Sequence, residues 1–308
     1  MKTIKTRAAV AVIGLALLGV SACGGSDSSG KPAEDDLGLA RDGEVSVGFM
    51  NGLMPYVGLE KGKLTGVDGD LFLKAAAPLD LKIKPQGLEF SAMIAGVQSG
   101  RYDIGIGGIA WTEEREKQGV FTDPVYYSPA LLLSRPGVTV KTIADLDGLS
   151  IGAVTGSLND DATRATPGVK AQTYPAWAQA IADLEAGRLD AINIDPLTAV
   201  YLRDTRKDLA DYETSVIDPP TEAELAKSPG LQGYNPYQVV WYCSPKAKNL
   251  CAKLTDQIND MYADGSSKEI LTEWGVDATS FLTSTPDATT LRVGKDRDDT
   301  WVAPTVGG

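Results

Sequence analysis

Gln98-Ser99-Gly100-Arg101-Tyr102-Asp103-Ile104 and Glu185-Ala186-Gly187-Arg188-Leu189-Asp190-Ala191 read as one turn written twice, about 87 residues apart. Each has a helix end, a glycine that closes it, an arginine, an apolar residue, an aspartate and the start of a strand. Outward from the first copy lie a helix over 91–98 and a buried strand over 104–108. Before them come a strand over 45–49, a helix over 66–77 and an alternating strand over 81–84. Around the second copy lie a strand over 150–154, a helix over 176–186 and a strand over 189–194. The β-α-β-α-β rhythm argues for an α/β layer, and its recurrence for two similar lobes, each with its own sheet. Two unrelated turns with shared turn chemistry are the competing reading of this feature alone.

Between the halves runs Val125-Tyr126-Tyr127-Ser128-Pro129, and after the second half comes the extended Tyr237-Gln238-Val239-Val240-Trp241-Tyr242. Two extended crossings form a two-stranded hinge, and an amphipathic helix over 249–263 returns the chain to the first lobe. The expected boundaries are 44–125 plus 238–281 for lobe 1, 130–233 for lobe 2, and 125–129 with 234–238 for the hinge. The tail, 282–308, is rich in Thr, Asp, Gly and Pro and is expected to be loosely ordered. A cleft between hinged lobes is a usual place for a small ligand.

The start of the chain bears on compartment. Lys2, Lys5 and Arg7 precede an apolar run over 8–20, which suits a signal-peptide core and is too short for a mature membrane span. Val20-Ser21-Ala22-Cys23 resembles the lipobox of bacterial lipoproteins, which implies a signal peptide over 1–22 and a lipidated Cys23. The alternative is ordinary secretory cleavage. A Gly/Ser-rich stretch opens a flexible tether expected over 23–43. Cys243 and Cys251 then remain as an even pair in an oxidising compartment. They are joined as a disulfide if their Cα atoms approach within about 7 Å, or are two buried thiols.

The chain has no histidine, which removes His-based zinc sites and Ser-His-Asp triads. Loss of the signal takes the formal net charge from -12 to about -15. That balance argues against nucleic-acid partners.

The motifs together resemble the extracytoplasmic solute-binding proteins of ABC importers, in the amino-acid-binding branch. The match runs through Lys63-Leu64-Thr65-Gly66-Val67-Asp68-Gly69-Asp70-Leu71, the first copy of the turn, Thr112-Glu113-Glu114-Arg115-Glu116-Lys117 and Phe121-Thr122-Asp123-Pro124-Val125-Tyr126-Tyr127-Ser128. It resumes at Gly187-Arg188-Leu189-Asp190-Ala191 and Asp195, and closes with Ile270-Leu271-Thr272-Glu273-Trp274-Gly275. The resemblance implies a type II clamshell of two α/β lobes with two hinge strands. It also implies no cofactor, no catalysis, a monomer, and an ABC permease as membrane partner.

Residue by residue, it implies that Arg115 clamps a ligand α-carboxylate and that Gly108 offers a backbone contact. Thr155 and Ser157 lie in a second-lobe turn that takes the carboxylate from the other side. Asp195 holds the α-amino group, and Phe90 packs on the ligand or in the core. Three positions depart from the family's habit. Asn51 follows the first strand where an acid often stands, Leu53 replaces an aromatic, and Ala110 replaces a hydroxyl residue five before the arginine. The amino grip therefore rests on Asp195. The pocket wall is expected to be apolar, from Met50, Leu53, Met54 and Phe90, with Trp111 a further candidate. The expected ligand is therefore an amino acid or related small carboxylate, such as an apolar or modified amino acid or an amine acid, rather than a standard polar amino acid. A dehydratase-like enzyme on the same fold, with Glu89 as its acid or base, and a ligand-sensing lipoprotein are the alternatives.

Overall fold

The computed structural model describes residues 36–282 and 291–307. The first lobe opens with β1 (Glu44–Met50), a hairpin of β2 (Gly58–Glu60) and β3 (Lys63–Thr65), and helix α1 (Val67–Ala76). It continues through β4 (Lys82–Leu88), α2 (Phe90–Gln98), β5 (Ile104–Ile106), the short α3 (Glu113–Glu116) and β6 (Val120–Phe121). The chain crosses on β7 (Tyr126–Ser128) into β8 (Leu131–Ser134), β9 (Ser150–Val154), α4 (Leu158–Ala165), β10 (Lys170–Tyr174) and α5 (Trp177–Glu185). The second lobe ends with β11 (Ala191–Ile194), α6 (Pro196–Thr205), β12 (Glu213–Val216) and α7 (Glu222–Lys227). The return runs through β13 (Tyr237–Val239) and β14 (Tyr242–Cys243) to α8 (Lys248–Ala263), α9 (Ser266–Glu273) and α10 (Ala278–Leu282).

Each lobe carries a five-stranded sheet, in the orders β4-β1-β5-β14-β6 and β10-β9-β11-β8-β12. In both, three parallel strands are followed by one that runs antiparallel and comes from across the hinge. Strands β5, β8 and β11 are buried along their whole length, as expected when helices cover both faces.

The doubled turn does the same work twice. Gly100 and Gly187 adopt φ of +74° and +71°, which L side chains resist, and each closes a helix. The aspartate three residues on then ties down the first parallel strand. Ser46 N–H donates to Asp103 Oδ2 at 2.8 Å, and Ser150 N–H donates to Asp190 Oδ2 at 2.9 Å. The aspartate's own N–H returns a bond to the same serine's carbonyl in both lobes. Two similar lobes, rather than two unrelated turns, is the correct reading.

β7 and β13 pair antiparallel, with Gln238 opposite Tyr127, and form the two-stranded crossing between lobes. Cys243 and Cys251 are disulfide-bonded with Cα atoms 6.0 Å apart, which fastens α8 to the end of β14. No described helix is long and apolar enough to cross a membrane. Residues 1–35, and with them the expected signal peptide and Cys23, lie outside the described residues.

Two expectations need correction. Residues 36–43 are docked rather than free: Leu37 and Leu39 pack on the first-lobe core, and Ala40 N–H donates to Asp103 at 2.8 Å. The tail is also not loose where it is described. Gln238 N–H donates to Leu291 O at 2.9 Å, and Glu113 N–H to Val293 O at 2.9 Å. Arg292 lies 3.3 Å over the Trp111 ring and pairs with Glu116 at 2.8 Å, while Arg297 pairs with Asp123 at 3.1 Å. Composition hid this, because two arginines and the Leu291–Trp301 apolar pair anchor a segment that is otherwise polar.

Candidate functional site

The strand expected over 104–108 stops at Ile106 because Gly107 and Gly108 turn the backbone to φ of +105° and +65°. A Cβ on Gly107 would lie 2.7 Å from Val57 Cγ1, so the close approach of Val57 adds to the positive φ in favouring glycine there. One residue that sequence reasoning did not single out holds this loop. Asp68, fully buried on α1, accepts from Gly108 N–H at 3.1 Å, from Trp241 Nε1–H at 2.9 Å and from the Tyr126 hydroxyl. It thereby links the binding loop to the outgoing hinge strand and to the start of the return. Burial pushes its carboxyl pKa up, against three stabilising donors. In the sequence it passes for an ordinary first-turn acid.

Arg115 sits on α3, whose start is capped by Thr112 Oγ1 accepting Arg115 N–H at 3.2 Å. Its side chain is 7% exposed and lies 5.2 Å over the Phe90 ring. One guanidinium nitrogen donates to Ala110 O at 2.8 Å and the other crosses to Gly156 O of the second lobe at 3.1 Å. Burial pulls its pKa down from the ordinary value; a guanidinium remains charged regardless.

Asp195 stands at the end of β11, where Pro196 starts α6. Tyr237 of the hinge donates its hydroxyl to Asp195 Oδ1 at 3.2 Å. Burial raises the Asp195 pKa to about 6, partly offset by that hydrogen bond and reinforced by Asp68. The Tyr56 hydroxyl of the first lobe accepts Leu197 N–H at 3.4 Å, a second contact across the cleft.

Arg115, Phe90, Gly108, Asp195 and Tyr237 line one interlobe cavity of about 20 Å³, and the Arg115–Gly156 and Tyr56–Leu197 contacts hold the cleft closed. The first lobe gives it Leu53, Phe90, Gly108, Ala110 and Arg115, and the second gives it Ser157 and Asp195. Met50, as expected, is in the wall too, as is Leu158 from the expected second-lobe turn; Val154, Asn159, Trp177 and Tyr237 join it without having been foreseen. Trp177 was masked by the amphipathic pattern of its helix, where an aromatic reads as core.

Other expected residues lie elsewhere. Thr155 is exposed, its N–H and hydroxyl both donating to Tyr174 O at 2.9 and 3.1 Å. Asn51 is exposed beside Gly87. Trp111 is buried beneath Arg292, and Met54 packs against Gly58. Glu89 is exposed and does not line the cavity. The second-lobe turn is also more self-contained than expected. Gly156 N–H donates to Asp160 at 3.1 Å and Ser157 N–H to Val154 O at 3.1 Å, while Ser157 Oγ caps α4 by accepting Asp160 N–H.

Two α/β lobes joined by paired strands, with one basic and one acidic side chain brought together from opposite lobes, define a clamshell-type binding protein. The chain belongs to the bacterial extracellular solute-binding proteins, family 3, whose model matches residues 45–277. It is 31% identical to the probable amino-acid-binding protein YxeM of Bacillus subtilis (strain 168), over 59% of this chain and 67% of that one. It is 27% identical to the ABC transporter arginine-binding protein 1 of Escherichia coli (strain K12), over 69% of this chain and 82% of that one. An ancestral arginine-binding protein bound to glutamine superposes with a TM-score of 0.63 at 26% identity, over 76% of this chain and 98% of that one. Both of these relatives are named as binding proteins.

Proposed function

We propose that this protein is an extracytoplasmic receptor, lipid-anchored through Cys23, that captures an amino acid between its lobes and delivers it to an ABC importer. The observation that carries the reading is the opposition of Arg115 from the first lobe and Asp195 from the second across one cavity. A zwitterion supplies a carboxylate for the first and an ammonium for the second. Similarity to proteins named for amino-acid binding and for an ABC transporter supports the class of ligand and the permease partner. The lipobox-like Val20-Ser21-Ala22-Cys23 supports the anchor.

The chemistry follows from exchange of partners. Arg115 now bonds the Gly156 carbonyl. When the lobes part and a ligand enters, its carboxylate replaces that carbonyl with a charge-assisted pair in a water-poor site. The Ser157 hydroxyl lies on the same wall and can donate to the same group. The ligand ammonium meets Asp195 as the lobes close. Each charged hydrogen bond is worth roughly 1.5–3 kcal/mol net. Shifting a hinge from 1:99 to 99:1 takes about 5.5 kcal/mol. Two or three bonds made only in the closed form therefore suffice.

Calorimetry over the standard amino acids tests the proposal. Arg115→Ala and Asp195→Asn are each expected to weaken the best ligand about 100-fold. Binding unchanged in either variant would place the ligand elsewhere.

A further inference from the structure

The cavity wall also carries information about the ligand's side chain, provided the amino-acid reading above holds. Among the lining residues, Arg115 and Asp195 are the charged ones, and the backbone of an amino acid occupies both. The remaining wall is largely apolar, formed by Met50, Leu53, Phe90, Val154 and Leu158. A cationic side chain would need a second carboxylate and an anionic one a second cation, since an unpaired buried charge is strongly disfavoured. The other polar side chains of the wall each have at least one partner within the protein, and the Ser157 hydroxyl keeps its proton for the ligand carboxylate. Asn159 Nδ2 donates to Asn193 O at 3.1 Å, Tyr237 to Asp195, and Ser157 Oγ accepts from Asp160.

Trp177 is the exception. It opens α5, is 2% exposed and lines the cavity, yet its indole N–H has no hydrogen-bond partner among the described residues. Indole nitrogen can only donate. A buried donor without an acceptor costs free energy, and an acceptor brought by the ligand relieves that cost. We infer that Trp177 is a specificity residue, and that the ligand is an amino acid with an uncharged side chain bearing a hydrogen-bond acceptor, of the carboxamide kind. This separates the present chain from relatives named for binding arginine.

The test uses isosteric pairs on the mature protein: asparagine against leucine and glutamine against homoleucine, with arginine and glutamate as charged controls. In the wild type, at least one amide should bind tenfold or more tightly than its hydrocarbon isostere and than either charged control. Trp177→Phe keeps a six-membered aromatic ring and removes the donor. It should weaken the amide about fivefold, as loss of one neutral hydrogen bond implies, and change the isostere less than twofold. The wild-type ratios decide the matter even if the variant folds poorly.

The inference is overturned if the hydrocarbon or a charged amino acid binds best, or if neither amide binds at millimolar concentration. It is overturned equally if Trp177→Phe weakens both members of a pair alike. Arg115→Ala separates this failure from that of the amino-acid reading. If binding of the panel is lost in Arg115→Ala while the amide preference is absent, the clamp stands and only the role of Trp177 falls.

Discussion

At Asp195, burial and function pull in opposite directions. The raised pKa means that the folded protein holds a proton which the unfolded chain releases near the ordinary carboxylate value. Taken alone, this group therefore stabilises the fold at acid pH, and that contribution is lost as pH rises from about 4 to about 6. In its proposed role on the ligand ammonium, Asp195 must act as the carboxylate, so binding must expel the proton below pH 6. Affinity for an amino acid should be level from about pH 7 to 8 and should fall about tenfold per unit below pH 6. Asp195→Asn should abolish the slope. A titration by calorimetry from pH 4.5 to 8 checks this, and a flat profile in the wild type would show that Asp195 does not meet the ligand amine. The two residues proposed as the clamp, Arg115 and Asp195, were picked out in the sequence through the family resemblance, and both line the cavity. Asp68 and Trp177 were not, because an acid in a helix's first turn and an aromatic on an apolar helix face have ordinary structural explanations.

The doubled Gly-Arg-x-Asp turn was legible for the opposite reason, since its chemistry is local and repeated. Asp103 accepts from Ala40, from the Ser46 amide and from the Ser46 hydroxyl, and is 2% exposed. Asp190 accepts from the Ser150 amide and from Arg135, and it is less buried. The Ser150 amide, followed by Arg135, holds the Asp190 carboxyl below its usual range. Asp190→Ala should therefore cost about 2 kcal/mol and Asp103→Ala more, because three donors lose their acceptor in a buried site. Urea unfolding at pH 7 measures both. Losses no larger than those of exposed aspartates would mean that the turns do not secure the strands. Strand ends were harder to read. Sequence carried β5 through residue 108, whereas two left-handed glycines end it at Ile106 and form the loop that reaches the cavity.

For the molecule as a whole, the alternation of strands and helices specified two sheets and a two-stranded crossing, and both are present. The packing of the ends escaped that reading. The segment 291–307 crosses the first lobe beside the hinge and lies beyond the part matched by the family model. Its anchors, Arg292 over Trp111 and Arg297 on Asp123, depend on partners far away in sequence, which composition cannot display.

Arg115 reaching Gly156 and Tyr56 accepting from Leu197 hold the closed arrangement. In the proposed mode of binding, a single zwitterion joins the lobes by giving its carboxylate to Arg115 and its ammonium to Asp195. Removing one head group at a time tests it most directly: calorimetric titration of the best amino acid, its decarboxylated amine and its deaminated acid against wild type, Arg115→Ala and Asp195→Asn. Wild type should discriminate against both analogues by about 100-fold. Arg115→Ala should lose discrimination against the amine alone, and Asp195→Asn against the acid alone. Equal binding of all three compounds by wild type, or discrimination untouched by either substitution, would contradict it.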